Sequence, residues 1–151
     1  MVQLLIPIYM KRSEIKTFLP HREPMLLVDE VTQSSDVATA RYKVRGDEFF
    51  LQGHFPGYPV VPGVILCEIM AQSCCLLIRE ELEQGRTPLY NGIDHVRFRR
   101  QVRPGDTIVT EGRITQRHGL TFYVEVSATV DGDICCSGRL IFTLIDNNSQ
   151  K

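Results

Sequence analysis

One apolar segment limits the folds open to this chain more than any other feature of its sequence. Between Val64 and Gln84 there is neither glycine nor proline, and most residues are good helix formers. Pro62 suits a first helical turn and Gly85 a C-terminal cap, so the segment predicts one helix of about 20 residues, roughly 30 Å long. Because its first four turns are apolar on nearly every side, other structure must wrap this helix.

The second half of the chain has the alternating pattern of antiparallel strands. Phe122, Val124, Val126 and Ala128 share one face of a predicted strand, and Asp131 with the following glycine is a strong hairpin signal. The pattern predicts strands at residues 26–32, 37–44, 89–102, 107–117, 120–130 and 134–145, with a short helix at 13–18. We therefore expect an α+β fold, an antiparallel sheet of five to six strands wrapped around one long central helix. One domain spans residues 1–151 in this prediction, with a loose polar tail at 147–151.

Composition and charge exclude several functional classes. The formal net charge of −1 gives no general attraction to nucleic acid or to anionic membranes. The five cysteines include no CxxC pair, so they indicate small apolar core residues rather than a metal site. The longest apolar stretch is shorter than the ~20 residues of a membrane span, and the N-terminus lacks the basic start of a signal peptide. We expect a cytoplasmic protein without a metal or another cofactor.

Glu68 is the only charged residue between Pro62 and Ile78. A carboxylate on an enclosed apolar helix is costly unless it is paired or protonated, and a carboxyl that holds its proton can act as an acid. The alternative is a structural Glu68 that is hydrogen-bonded to a neighbour such as Gln72, one turn away. The segment alone favours neither interpretation.

A histidine precedes this helix in a rigid loop. His54 lies in the run Gly-His-Phe-Pro-Gly at residues 53–57, which can fold the imidazole back over the first helical turns. Histidine is the natural general base near neutral pH. Gly63 and Val64 begin the helix, where unpaired amides and the helix dipole suit a developing oxyanion.

A base, an acid and an oxyanion site together suit removal of a proton next to a carbonyl group, with loss of a β-hydroxyl as water. The same groups also serve hydrolysis or isomerisation, so the reaction class does not follow uniquely. Two other functions stay open at this point, an acyl thioesterase and a non-enzymatic acyl-binding module.

A series of short motifs resembles the (3R)-hydroxyacyl-[acyl-carrier-protein] dehydratases of the FabZ type. The motifs follow in order as LPHR at residues 19–22, LLVD at 26–29, GHFPG at 53–57, PGV with Glu68 at 62–68, MAQ at 70–72, GID at 92–94 and PGD at 104–106. The resemblance covers about residues 13 to 145.

The resemblance implies a hot-dog fold and a homodimer, assembled as a trimer of dimers, with an active site between two chains. It implies that His54 of one chain removes the α-proton, that Glu68 of the other assists departure of the hydroxyl, and that the Gly63 amide holds the thioester oxygen. The substrate is carried on the phosphopantetheine of acyl carrier protein, so no further cofactor is implied. Glu68 favours dehydration without isomerisation, since the related dehydratase–isomerases have aspartate there.

Three further sets of residues follow from the sequence beside this resemblance. Phe55 and Tyr58 are candidates for a tunnel or dimer contact, and Tyr58 and Glu23 differ from the residues usual in the family. His21 belongs to a family motif and is interpreted as a structural hydrogen-bonding residue. Strand alternation, without a bulge, places a basic cluster on one face, which could dock an acidic carrier protein or be a solvated edge: Arg97, Arg99 and Arg103.

Overall fold

The computed structural model describes residues 6–147, and within them one antiparallel sheet curves around a central helix. The strands are β1 (Ile8–Lys11), β2 (Glu30–Ser34), β3 (Val37–Lys43), β4 (Arg86–Phe98), β5 (Thr107–His118), β6 (Thr121–Val130) and β7 (Asp133–Asp146). Their order in the sheet is β1-β2-β3-β5-β6-β7-β4. The α+β prediction is confirmed, but the described residues contain seven strands rather than five to six. The strand that the sequence missed is β1, whose four residues are too few to show an alternating pattern.

The first predicted strand begins later than expected. Residues 26–28 are buried but irregular, and β2 starts only at Glu30. The amide of Leu27 donates to the side-chain oxygen of Gln72 at 2.7 Å instead of to a neighbouring strand. A side chain on the central helix therefore accepts the hydrogen bond of a backbone amide that the apolar pattern had assigned to a strand.

The central helix is shorter than the sequence predicts. It consists of α2 (Gly63–Ser73), a 3₁₀ turn (Cys75–Ile78) and α3 (Arg79–Glu83); α1 (Arg12–Ile15) and a 3₁₀ turn (Phe49–Leu51) lie elsewhere. Where α2 ends, Ser73 Oγ donates to the Ile69 carbonyl at 2.6 Å and Cys74 Sγ to the Met70 carbonyl at 3.3 Å. Such bonds compete with helical backbone bonds and bend helices. No helix in the described part of the chain is long and apolar enough to cross a membrane.

The core lies between α2 and the inner face of the sheet. Ile69 and Met70 of α2 are buried together with Phe122 and Val124 of β6, as the predicted strand face requires. Gly112 of β5 allows the close approach of the helix, because a Cβ atom there would lie 2.8 Å from a thiol sulfur of the helix end. The prediction of small core cysteines is confirmed, since five free and buried thiols lie in this region: Cys67, Cys74, Cys75, Cys135 and Cys136.

The ends of the chain are only partly described. Residues 1–5 and 148–151 lie outside the described residues, so the extent of the domain and the polar tail stay predictions. Asn147 is the one described residue of that tail, and its amide donates to the Gly85 carbonyl at 3.4 Å.

Candidate active site

The loop that carries His54 has an unusual backbone path. Gly53 and Gly57 have φ angles of 82° and 83°, which suit glycine, and Phe55 has a φ of 53°. A phenylalanine in the left-handed region is strained unless the surrounding structure fixes it, and such residues cluster at functional sites. The loop is therefore built to hold one conformation around His54.

The loop also fixes the tautomer of His54. The ring atom Nδ1 lies 3.0 Å from the carbonyl oxygen of Val60. Because a carbonyl oxygen only accepts hydrogen bonds, Nδ1 carries the proton in this contact, which leaves Nε2 of the neutral ring with a free lone pair. The Phe55 ring packs beside the imidazole, with the ring centroids 4.2 Å apart. This arrangement makes Nε2 the atom that can accept a proton from a substrate.

Gly63 and Val64 lie at the N-terminus of α2, as predicted. Their amides lack an intrahelical acceptor, and the positive end of the helix dipole lies here. Gly63 also has a packing reason to lack a side chain, because a Cβ atom would lie 3.0 Å from the ring of Phe98. Beside Gly63 is a cavity of about 390 Å³, lined mainly by apolar residues of the loop and of residues 98–102. Val64 is 75% exposed at the start of a helix that the sequence predicted to be wrapped.

Glu68 lies about 1.4 turns beyond Gly63 along α2, and its side chain is 20% exposed. Its Oε1 atom accepts a hydrogen bond from Gln72 Nε2 at 2.9 Å and lies 3.3 Å from His21 Nε2. Within residues 6–147 no group bonds to the other oxygen, Oε2. The Glu68–Gln72 bond of the structural alternative is thus present, and the same carboxyl has a second oxygen without a partner in the described residues.

Gln72 holds this carboxyl in place through a network that the sequence only partly revealed. Besides its bond to Glu68, Nε2 donates to the Met25 carbonyl at 2.7 Å, and Oε1 accepts from the Leu27 amide. The contact of His21 with Glu68 was not predicted, because nothing in the sequence places residues 21 and 68 together. His21 Nδ1 is buried and has no hydrogen-bond partner in the described residues.

A small cavity of about 70 Å³ adjoins Glu68, and one of its walls is Tyr90, which no sequence signal had pointed to. The Tyr90 hydroxyl donates to the Cys67 carbonyl at 2.8 Å. Burial raises the pKa of Tyr90, and the nearby charge of Glu68 raises it further, so the phenol stays protonated and donating. The remaining lining is mostly apolar and includes Leu19, Ala71 and Phe142.

Within one chain the structure does not bring His54 and Glu68 together. The five-residue step from Gly63 to Glu68 turns the helix by about 140° beyond one full turn and rises about 7.5 Å. The His54 loop contacts the Gly63 end, whereas the cavity at Glu68 has no residue of that loop in its lining. Within residues 6–147 no hydrogen bond or ion pair joins His54 to Glu68: His54 bonds to Val60, and Glu68 contacts Gln72 and His21.

The predicted basic cluster divides in the structure. Arg97 lies on β4 after a register shift, while Arg99 and Arg103 lie beyond its end at Phe98, so the three do not share a strand face. Arg97 and Arg99 are exposed, and neither side chain has an ion pair or hydrogen bond within residues 6–147. Arg103 instead contacts Tyr58. Tyr58 and Phe55, the two candidates for a tunnel or dimer contact, are 43% and 59% exposed.

The described residues contain no group of three or more histidine, cysteine, aspartate or glutamate side chains that could hold a metal ion. The candidate site itself contains an imidazole, a carboxyl, helix amides and a phenol.

Comparisons with known proteins point to one group of enzymes. A family model described as a FabA-like domain matches residues 19–139. The 3-hydroxyacyl-[acyl-carrier-protein] dehydratase FabZ of Clostridium perfringens is 46% identical over 137 residues, which cover 89% of this chain and 99% of that protein. The protein of the same name from Listeria welshimeri is 43% identical and covers 89% of this chain and 95% of its own length.

Solved structures show the same fold. The dehydratase heterocomplex ApeI:P from Xenorhabdus doucetiae has a TM-score of 0.76 at 20% identity and covers 90% of this chain and 93% of its own. The fluoroacetyl-CoA thioesterase FlK has a TM-score of 0.66 at 19% identity and covers 76% of this chain and 88% of its own. At these identities the likeness supports the hot-dog architecture and no particular activity.

Proposed function

Because the chain belongs to the FabA-like family, we propose that it is a hydro-lyase that converts (3R)-3-hydroxyacyl-[acyl-carrier-protein] to trans-2-enoyl-[acyl-carrier-protein] in fatty acid biosynthesis. The single observation that carries this proposal is the identity to proteins named FabZ over 89% of the chain. The geometry of His54, Gly63 and Glu68 supplies the chemical reason.

The proposed mechanism uses three groups. Nε2 of His54 accepts the proton from the carbon next to the thioester carbonyl, since Nδ1 is held by Val60. The amides at the start of α2, those of Gly63 and Val64, stabilise the negative charge that develops on the carbonyl oxygen. The hydroxyl leaves as water with a proton delivered through Oε2 of Glu68. No step requires a metal or another cofactor.

We propose that each site is shared by two chains, because His54 bonds within its own loop and the cavity at Glu68 has no residue of that loop in its lining. The exposed residues support a homodimer. Within residues 6–147, β4 is an edge strand of 13 residues that pairs only with β7, and a long free edge invites pairing with another chain. Large apolar side chains are exposed on it or beside it: Val64, Leu89, Ile93 and Phe98. The trimer of dimers and the cytoplasmic location stay predictions.

Two other functions fit the structure less well. A thioesterase would release a free thiol, and the likeness to FlK supports only the fold. An acyl-binding module has no need of a histidine with a fixed tautomer or of a carboxyl held by Gln72 and His21. Isomerisation of the product would require a second proton transfer by the same pair.

The proposed reaction is tested by its product. The purified protein is incubated with 3-hydroxybutyryl-[acyl-carrier-protein], and the carrier is analysed by mass spectrometry. We expect the acyl group to lose about 18 Da, the mass of one water, with the thioester intact. Release of free carrier thiol would support the thioesterase instead, and an unchanged acyl group would support the binding module.

Arg97 and Arg99 are proposed to dock the acidic carrier protein, because their charges are exposed and free within residues 6–147. The double variant Arg97→Glu/Arg99→Glu is expected to raise KM for carrier-bound substrate by about tenfold or more at low salt, and less at high salt because surface charges are screened. The measurement compares this substrate with the N-acetylcysteamine thioester of the same acid. An equal change of KM for both substrates would contradict docking.

A further inference from the structure

The loop that carries His54 is joined to a neighbouring segment by the side chain of Tyr58. The Tyr58 hydroxyl donates to Gln101 Oε1 at 2.6 Å and accepts a hydrogen bond from Arg103 Nη2. Arg103 Nη2 also lies 3.1 Å from Gln101 Oε1, and its guanidinium carbon lies 4.6 Å from the centroid of the Tyr58 ring. We call Tyr58, Gln101 and Arg103 the tyrosine clamp.

One side of the tyrosine clamp is rigid. Val102, between its two polar members, is fully buried, and its carbonyl accepts the Val61 amide at 2.8 Å. The Arg103 amide donates to Asp106 Oδ2 at 2.9 Å, and the Asp106 carbonyl accepts the Val44 amide at 2.9 Å. The segment that holds Gln101 and Arg103 is thus anchored in the core and in the sheet.

The other side of the clamp is the loop itself. The Tyr58 amide donates to the Phe55 carbonyl at 2.8 Å, which closes a turn next to His54. Two residues after Tyr58, the Val60 carbonyl accepts the hydrogen bond from Nδ1 of His54. Between Gly53 and Val60, the clamp provides the only side-chain hydrogen bonds from this loop to the rest of residues 6–147.

We propose that Tyr58 is a positioning residue, which acts through the tyrosine clamp to hold the Val60 carbonyl, and with it the Nδ1 proton and the orientation of His54. The inference rests on the proposed function, in which His54 is the base. It also separates Arg103 from Arg97 and Arg99, because the Arg103 guanidinium is already hydrogen-bonded to Tyr58 and packed on its ring. A displacement of about 1 Å at a reacting group can lower the reaction rate far more than the affinity for substrate. The clamp should therefore act on kcat rather than on KM.

The test removes only the hydroxyl. Tyr58→Phe keeps the ring under the Arg103 guanidinium and loses both hydroxyl bonds, and its matched control is Tyr9→Phe, since Tyr9 is an exposed tyrosine of β1 that bonds to Glu30 at 2.8 Å. We expect Tyr58→Phe to lower kcat about tenfold for carrier-bound and N-acetylcysteamine substrates alike, with KM within about twofold of its original value. Arg103→Leu should follow the same pattern, and Tyr9→Phe should change neither constant.

A second measurement does not depend on turnover. In protein labelled with ¹⁵N-histidine, the side-chain signal of His54 is identified by its loss in His54→Ala. We expect the Nδ1 proton of His54 to exchange with solvent at least about fivefold faster in Tyr58→Phe than in the original protein or in Tyr9→Phe, because its acceptor is less firmly held.

The outcomes separate the two proposals. An unchanged His54 signal in Tyr58→Phe, or an effect of Arg103→Leu confined to KM for carrier-bound substrate, would overturn the positioning role. An original protein that forms no enoyl product would overturn the proposed function, while the exchange rate of the Nδ1 proton would still report whether the clamp holds His54.

Discussion

Replacing His54 by alanine is expected to lower kcat for dehydration by about 10²–10⁴-fold, because a positioned general base contributes an effect of this size. Glu68→Gln should lower kcat comparably, since the amide keeps the shape and the contacts at Oε1 but cannot deliver a proton. KM should change little in both variants. The measurement is enoyl formation from 3-hydroxybutyryl-[acyl-carrier-protein], followed at saturating substrate.

Thermal unfolding distinguishes a loss of catalysis in these variants from a loss of folded protein. The His54 side chain lies in a surface loop and contacts the carbonyl of its own loop, so its removal should leave thermal unfolding nearly unchanged. Ile8→Ala, at an exposed position of β1, serves as a control that should affect neither property. Full activity in either His54→Ala or Glu68→Gln would refute the site.

Mixing the two inactive variants is expected to restore activity if each site takes His54 from one chain and Glu68 from the other. With equal amounts of His54→Ala and Glu68→Gln chains assembled at random, about one site in four receives both intact residues. The mixture should therefore regain about a quarter of the original activity, from a background at least about a hundredfold lower.

Co-expression with two different affinity tags provides such mixtures. A pair of differently tagged His54→Ala chains is the control, and it should stay inactive. Absence of restoration in the mixed assembly, with mixed chains present in the purified material, would show that each site lies within one chain.

The sequence predicted the parts of the fold that depend on local pattern. The inner face of β6 and the hairpin before β7 follow from alternation and from turn residues, and both are present. The central helix was predicted as one piece, because no glycine or proline marks its break; side-chain bonds of Ser73 and Cys74 do so instead. Their effect depends on side-chain geometry, which composition does not reveal.

The candidate site shows the same limit. The isolated charge of Glu68 and the position of Gly63 at a helix start were visible in the sequence. The contact of His21 with Glu68 and the role of Tyr90 were not, because each residue meets α2 only through the tertiary fold. The division of Arg103 from the other arginines likewise required the contact with Tyr58 across 45 residues of sequence.

The carboxyl of Glu68 is held through Oε1 by Gln72 and His21, while Oε2 is unbonded within residues 6–147. His54 is likewise fixed through one ring nitrogen, so the proposed base and the proposed acid each present a single atom from a fixed direction. A substrate whose α-proton faces Nε2 can direct a hydroxyl of only one configuration towards Oε2. The choice between substrate enantiomers thus follows from the hydrogen bonds that fix His54 and Glu68. The enantiomer with the opposite configuration at the β-carbon would bind with its hydroxyl turned away from the proposed proton donor.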